Sequence, residues 1–233
     1  MADGSTILAF DSSGAACSAA LWVGGAVVAR RFEPMQRGQA ERLMPMIIET
    51  MAEGRCEFAA LDLIAVTVGP GSFTGLRVGL AAARGLALAG NVRVAGVTTF
   101  DAALEALPVA ATAGRSVAIA LDSKRGDLFV QFYDLERRPI SGPAILAFAR
   151  LRAAAPAGPL YVGGDGASLA AGHITAGDDV VLAAPGSFID AGHVAALAAR
   201  RGAKELLPPA PLYLRAADVT QPGRAAAPAS EAR

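Results

Sequence analysis

The chain has 233 residues, 53% of them hydrophobic and 18% charged, with 21 Lys+Arg against 21 Asp+Glu. That length buries one large core or two smaller ones, the composition excludes fibrous and disordered classes, and a protein that grips nucleic acid alone needs a basic excess. Two cysteines, Cys17 and Cys56, are too few for a disulfide framework or a zinc knuckle. With no signal-peptide pattern and no apolar run of the ~18 residues a membrane span needs, a soluble cytoplasmic protein is expected.

Thr6 to Phe10 reads as an apolar strand ending in Asp11 and the turn Ser12-Ser13-Gly14. Cys17 to Val23 and Ala26 to Phe32 continue as an antiparallel meander around the Gly24-Gly25 turn. Ala40, Leu43, Met44, Ile47, Ile48 and Met51 recur at helical spacing and predict a helix from about Ala40 to Glu53, with Pro45 kinking it or shortening its first turns.

The run Leu63 to Val68 predicts a strand, and Leu76 to Ala89 a helix, with the loop Gly69-Pro70-Gly71-Ser72-Phe73-Thr74-Gly75 between them. Glycines there permit positive φ, and the helix start leaves amides that an anion, a carbonyl or a partner's polar group can satisfy. The Gly-Lys-Ser/Thr ending of a phosphate-binding Walker loop is absent, and so is the dinucleotide fingerprint. A strand over Arg93 to Val97 and a helix from about Phe100 to Leu107 close the first half.

Ser116 to Leu121, Asp122-Ser123 and Leu128 to Tyr133 repeat the plan of Thr6 to Val23: apolar strand, Asp-Ser, polar turn, return strand. A duplicated β-β-β-α-β-α unit explains this, and chance similarity of two hairpins is the alternative. The expected division is 1–107 and 108–215, with the last helix free to pack on the first lobe. Leu160 to Val162 leads into Gly163-Gly164-Asp165-Gly166 and helix signals at Ala167 to Ala171. Val180 to Leu182 reads as a strand and Ile189 to Lys204 as the last long helix. Pro208-Pro209-Ala210-Pro211 ends regular structure, and residues 216–233 are expected to be disordered.

Asp11 and Asp122, each ending the first strand of a half, face each other across a cleft if the halves pack pseudo-symmetrically. With Ser12 and the Gly163-Gly164 turn they are candidates to hold ATP or ADP with Mg²⁺. The alternative is that the aspartates only cap turns. His173 and His193 lack metal-ligand spacing, so no histidine metal site is expected, and no Ser-His-Asp triad is supported.

Met35, Met44, Met46 and Met51 cluster in or beside the first helix, and Met44 and Met46 lie about 200° apart on it. With Leu43, Ile47 and the small positions Gly75, Gly79 and Ala83 of the next helix, they read either as a reversible protein interface or as adaptable core.

Phe10-Asp11-Ser12-Ser13, Gln39 to Ile47, the motif residues Gly69, Gly71, Ser72, Thr74, Gly75 and Arg77, and Pro211-Leu212-Tyr213-Leu214-Arg215 resemble the bacterial TsaB (YeaZ-like) family of tRNA threonylcarbamoyladenosine biosynthesis proteins. The resemblance implies an α/β actin-like ATPase (ASKHA) fold of two ribonuclease-H-like lobes. It implies a non-catalytic subunit that binds the catalytic relative TsaD through its first two helices, is joined by a TsaE-like ATPase, self-associates without them, and meets tRNA only through the complex. TsaD holds metal partly through His-x-x-x-His on its first helix; the corresponding Arg37 to Arg42 has no histidine, and Gln39 stands where many family members carry one. The rival class is an Mg²⁺-dependent actin-like ATPase or acyl/carbamoyl transferase using Asp11 and Asp122. A peptidase reading lacks both ligands and a nucleophile.

Overall fold

The computed structural model describes residues 4–174, 179–184, 188–202 and 204–215. Residues 216–233, for which disorder is expected, lie outside the described residues. In chain order the strands are β1 (Thr6–Asp11), β2 (Ala16–Val23), β3 (Ala26–Pro34), β4 (Leu63–Gly69), β5 (Arg93–Thr98), β6 (Ser116–Asp122), β7 (Asp127–Tyr133), β8 (Ala144–Ala147), β9 (Leu160–Gly163) and β10 (Val180–Leu182). The helices are α1 (Gln39–Glu53), α2 (Phe73–Gly90), α3 (Thr99–Glu105), α4 (Val109–Thr112), α5 (Leu151–Ala154), α6 (Ala167–Ile174) and α7 (Ala191–Arg201).

One sheet has the order β3-β2-β1-β4-β5 and the other, read the same way, β8-β7-β6-β9-β10. In both, the first strand pairs antiparallel with the second and parallel with the fourth. The same order and the same directions in both halves make them the two ribonuclease-H-like lobes of the expected actin-like fold.

Strand alternation sorts the core into layers. In β1, Ile7 and Ala9 face the space between the sheets, where they meet Val117, Ile119 and Leu121 of β6 through Phe100 of α3 and Val194 and Leu197 of α7. Leu8 and Phe10 point the other way, onto Leu43, Met46 and Ile47 of α1 and Leu80 and Ala83 of α2. Ala118 and Ala120 of β6 do the same beneath Leu151, Ala167, Ala170 and Ile174. The layers run α1/α2, first sheet, α3/α7, second sheet, α5/α6.

The last helix, α7, packs on β1 and β2 of the first sheet. Asp190 caps it by accepting from the Gly192 amide at 2.8 Å. The buried Ser18 hydroxyl of β2 donates to the Ile189 carbonyl at 3.3 Å and accepts from the Ala191 amide at 3.0 Å. It satisfies two polar groups at the helix start that burial would otherwise leave costly. The helix spans Ala191–Arg201, shorter at both ends than Ile189 to Lys204.

One further expectation is corrected in part. Helix α1 is continuous from Gln39 to Glu53 across Pro45, so its first turns are not shortened. Pro45 and Glu41 lie on its exposed side, so the Glu41 carbonyl that the proline leaves without an amide partner is open to solvent rather than buried. The third strand that the duplicated plan implies for the second half is β8, a short edge strand whose Ala-Ile-Leu-Ala run carries no local alternation.

Candidate functional site: the cleft between the lobes

The carboxyl ends of β1 and β6 open into a cleft of about 570 Å³ lined by Asp11 and Asp122, by Gly71, Ser72 and Arg77 of the glycine segment, and by Leu212 to Arg215. Fold pseudo-symmetry thus brings together the two aspartates that sequence pairing singled out. Thr99, Lys124 and Tyr213 join them without having been anticipated, and Asp165 joins them from the Gly163-Gly164-Asp165-Gly166 turn expected at this cleft. Asp165 carried a readable signal, since it follows a strand end as Asp11 and Asp122 do; Thr99 carried none.

Asp11 is buried, and its Oδ1 accepts from the Ser13 amide at 3.1 Å, the Ser13 hydroxyl at 2.6 Å and the Thr67 hydroxyl of β4. Burial pushes its carboxyl above the ordinary carboxylate value, these hydrogen bonds pull the other way, and the nearby Asp165 charge adds to the rise. Asp165 is likewise pushed up, chiefly by burial, while its Oδ1 accepts from the Asp122 amide at 3.0 Å. The Asp122 oxygens both serve Lys124: Oδ1 accepts its amide at 2.7 Å and Oδ2 its ammonium at 2.8 Å. The Lys124 ammonium is pulled upward, first by that bond.

These donors do not fit magnesium nucleotide. Mg²⁺ needs open carboxylate or water positions around an octahedron; Asp11 Oδ1 already accepts from Ser13 and Thr67, and both Asp122 oxygens accept from Lys124. Among the described residues no group of three or more His, Cys, Asp or Glu is arranged to hold a metal ion. Gly163 and Gly164 do not line this cleft. A Cβ on Gly163 would lie 2.8 Å from the Leu107 side chain, and one on Gly164 would overlap the Ala120 carbonyl oxygen, so the turn packs on β6 rather than offering a floor to adenosine. Ser12 is committed as well, its buried hydroxyl donating to the Gly75 carbonyl at 2.8 Å.

The glycine segment is also turned to internal use. Gly69 adopts φ +114°, where side chains are rarely tolerated. Gly71 is needed for closeness instead, since its Cβ would lie 2.5 Å from the Ser13 carbonyl oxygen. The Ser72 amide donates to that carbonyl at 2.7 Å, and the Ser72 hydroxyl caps α2 by accepting from the Gly75 amide at 3.2 Å. The Ser72 and Gly75 amides, expected to face a ligand, are spent on the β1–β2 turn and the helix cap. Thr74 is exposed and lies outside the cleft lining.

The expected interface residues divide. Leu43, Met46, Ile47, Gly75, Gly79 and Ala83 are buried in the chain's own core. Gly79 lets α2 approach β1 and β4, its Cβ position lying 3.0 Å from the Ser12 hydroxyl. The small-residue face therefore serves helix-on-sheet packing, a correction to its reading as contact surface. Met44 remains outside at 36% exposure, one turn from Ile48 at 55%.

The family model described as TsaD: tRNA N6-adenosine threonylcarbamoyltransferase matches residues 33–175. The tRNA threonylcarbamoyladenosine biosynthesis protein TsaB of Escherichia coli K12 is 34% identical over 134 residues, 58% of this chain and 57% of that protein. Its Haemophilus influenzae counterpart is 36% identical over 124 residues, 53% and 52% of the two chains. The matched part thus spans about half the length of these curated relatives. Among solved structures, YeaZ from Pseudomonas aeruginosa superposes with a TM-score of 0.79 at 28% identity, over 90% of this chain and all of that one.

Proposed function

The chain belongs to the TsaD family and stands with its TsaB members, and from that premise we propose that it is a non-catalytic subunit in forming N6-threonylcarbamoyladenosine at position 37 of tRNAs reading ANN codons. In this reading it acts in the cytoplasm, binds and supports a TsaD-like catalytic subunit, is joined by a TsaE-like ATPase, and pairs with itself when they are absent. tRNA meets it only through the complex. The observation that carries a supporting rather than catalytic role is the internal commitment of Asp11 and Asp122 to Ser13, Thr67 and Lys124. The outer face of α1, with Met44 and Ile48, is the contact surface we assign to the catalytic partner.

Mixed with a TsaD-like subunit, the chain co-elutes with it on size exclusion, and Ile48→Glu abolishes co-elution while leaving the fold intact, because Ile48 is solvent-facing. Extract depleted of the chain loses threonylcarbamoyladenosine formation and regains it on addition. Failure of the wild-type chain to co-elute overturns the docking role. Turnover of threonylcarbamoyl-adenylate by the isolated chain overturns the non-catalytic one.

A further inference from the structure

The glycine motif after β4 and the late segment ending at Arg215 are about 140 residues apart in sequence but meet in space. From Leu207 the chain first pairs with the edge of β5, the Gly96 amide donating to the Leu207 carbonyl at 2.7 Å and the Leu207 amide to the Gly96 carbonyl at 3.0 Å. It then passes α2, where the Arg84 guanidinium donates to the Pro209 carbonyl at 2.7 Å. The Leu212 amide donates to the Val68 carbonyl at 2.6 Å, and the Leu212 carbonyl lies over Gly69, 2.7 Å from where a Cβ would be. The Tyr213 ring stands 5.0 Å from that of Phe73, the Arg77 guanidinium lies 3.7 Å from the Phe73 ring centroid, and Arg77 Nε donates to the Tyr213 hydroxyl at 3.3 Å. Finally Arg215 pairs with Asp127 at the start of β7, in the other lobe.

We infer that residues 207–215 form a releasable clasp that fixes the opening of the cleft, with Phe73 and Arg77 of the glycine motif as its catch on one lobe and Asp127 as its catch on the other. Leu212, Tyr213, Leu214 and Arg215 all line the cleft, so the clasp is part of its wall. Three features make it releasable without unfolding either lobe. It has no helix or strand beyond the isolated bridge at Leu207, its ring contact sits at the surface with Tyr213 39% exposed, and past that bridge its holds are one backbone hydrogen bond each at Pro209 and Leu212, the Tyr213 contacts with Phe73 and Arg77, the packing of Leu214 and the Arg215–Asp127 ion pair. Pro208, Pro209 and Pro211 stiffen the segment, so little chain entropy is lost when it closes again. The same geometry gives two otherwise unexplained motif residues, Phe73 and Arg77, a common task.

Hydrogen exchange on the full chain tests this. Tyr213→Ala speeds amide exchange in 70–77 and 122–127 by about tenfold, the factor that losing the Phe73 ring contact and the Arg77 hydrogen bond predicts, while the centres of β1 and β4 exchange as before. Arg215→Ala speeds exchange in 122–127 and leaves 70–77 closer to wild type. In a double-mutant cycle, Phe73→Leu and Tyr213→Leu shift the melting temperature together by less than the sum of their separate shifts. Unchanged exchange in both patches, acceleration spread equally through β1 and β4, or additive melting shifts overturn the clasp.

Discussion

Gly75 at the start of α2 lies directly against the Ser12 carbonyl oxygen at the end of β1, so closely that any Cβ on it would overlap that atom. The Ser12 hydroxyl returns a hydrogen bond to the Gly75 carbonyl. Two segments 63 residues apart are thereby locked where the cleft begins, and the obstacle to a side chain is backbone, which cannot swing aside.

Gly75→Ala is therefore expected to cost about 2 kcal/mol or more, the range of overpacking against an unyielding neighbour. Gly85→Ala is the matched control: the same helix, with nothing within 4 Å of the added carbon. It gains about 0.5–1 kcal/mol from helix propensity. Urea denaturation midpoints of the two variants should move in opposite directions.

Ser18→Ala removes the hydroxyl that serves both the Ile189 carbonyl and the Ala191 amide. Ile189 and Ala191 are both buried, so a loss of about 1–2 kcal/mol is expected. Because α7 is joined to the first sheet there, hydrogen exchange in residues 191–201 should rise before that in α1.

Asp11 titrates against the usual acid behaviour. Its folded-state pKa is raised, so between the ordinary carboxylate value and the folded value the native state binds more protons than the unfolded one. Stability from this group therefore falls as pH rises through that window and stays at its lower level above it. Asp11→Asn removes the titration. The stability of Asp11→Asn relative to wild type should grow with rising pH and then level off, as denaturant melts across a pH series will show; a constant difference contradicts the shift.

Glu105 behaves in the opposite sense. Arg200 of α7 donates to both its oxygens, at 2.6 and 2.5 Å, and this hydrogen bonding holds its carboxyl below the ordinary value. The stabilisation is full above the unfolded value and is lost as pH falls through the folded one. Arg200 is 60% exposed, so solvent screening limits the pair to about 0.5 kcal/mol. Arg200→Ala should lower the melting temperature at neutral pH and leave it unchanged once Glu105 is protonated in both proteins.

Much of the architecture was legible in the chain. The alternation of Ile7 and Ala9 with Leu8 and Phe10, and its echo around Ile119, encodes two-faced strands locally, and the repeated Asp-Ser endings exposed the duplication. Helical periodicity placed Leu43, Ile47 and Met51 on one side of α1, where the fold buries them. The site was less legible, because spacing records which residues share a face but not what that face meets.

By itself, then, the sequence determined the strands other than β8, the order of the two halves and the positions of Asp11 and Asp122 at matching strand ends, since these depend on contacts and periodicities within a few residues. Only the tertiary structure decided that Gly75 and Gly79 face their own β1 rather than a partner, that Asp11 is enclosed by Ser13 and Thr67, and that Tyr213 closes on Phe73. Apart from the Ser13 bond, each of these is a pairing across tens of residues or more, fixed by how sheets and helices stack, and no local pattern carries that information.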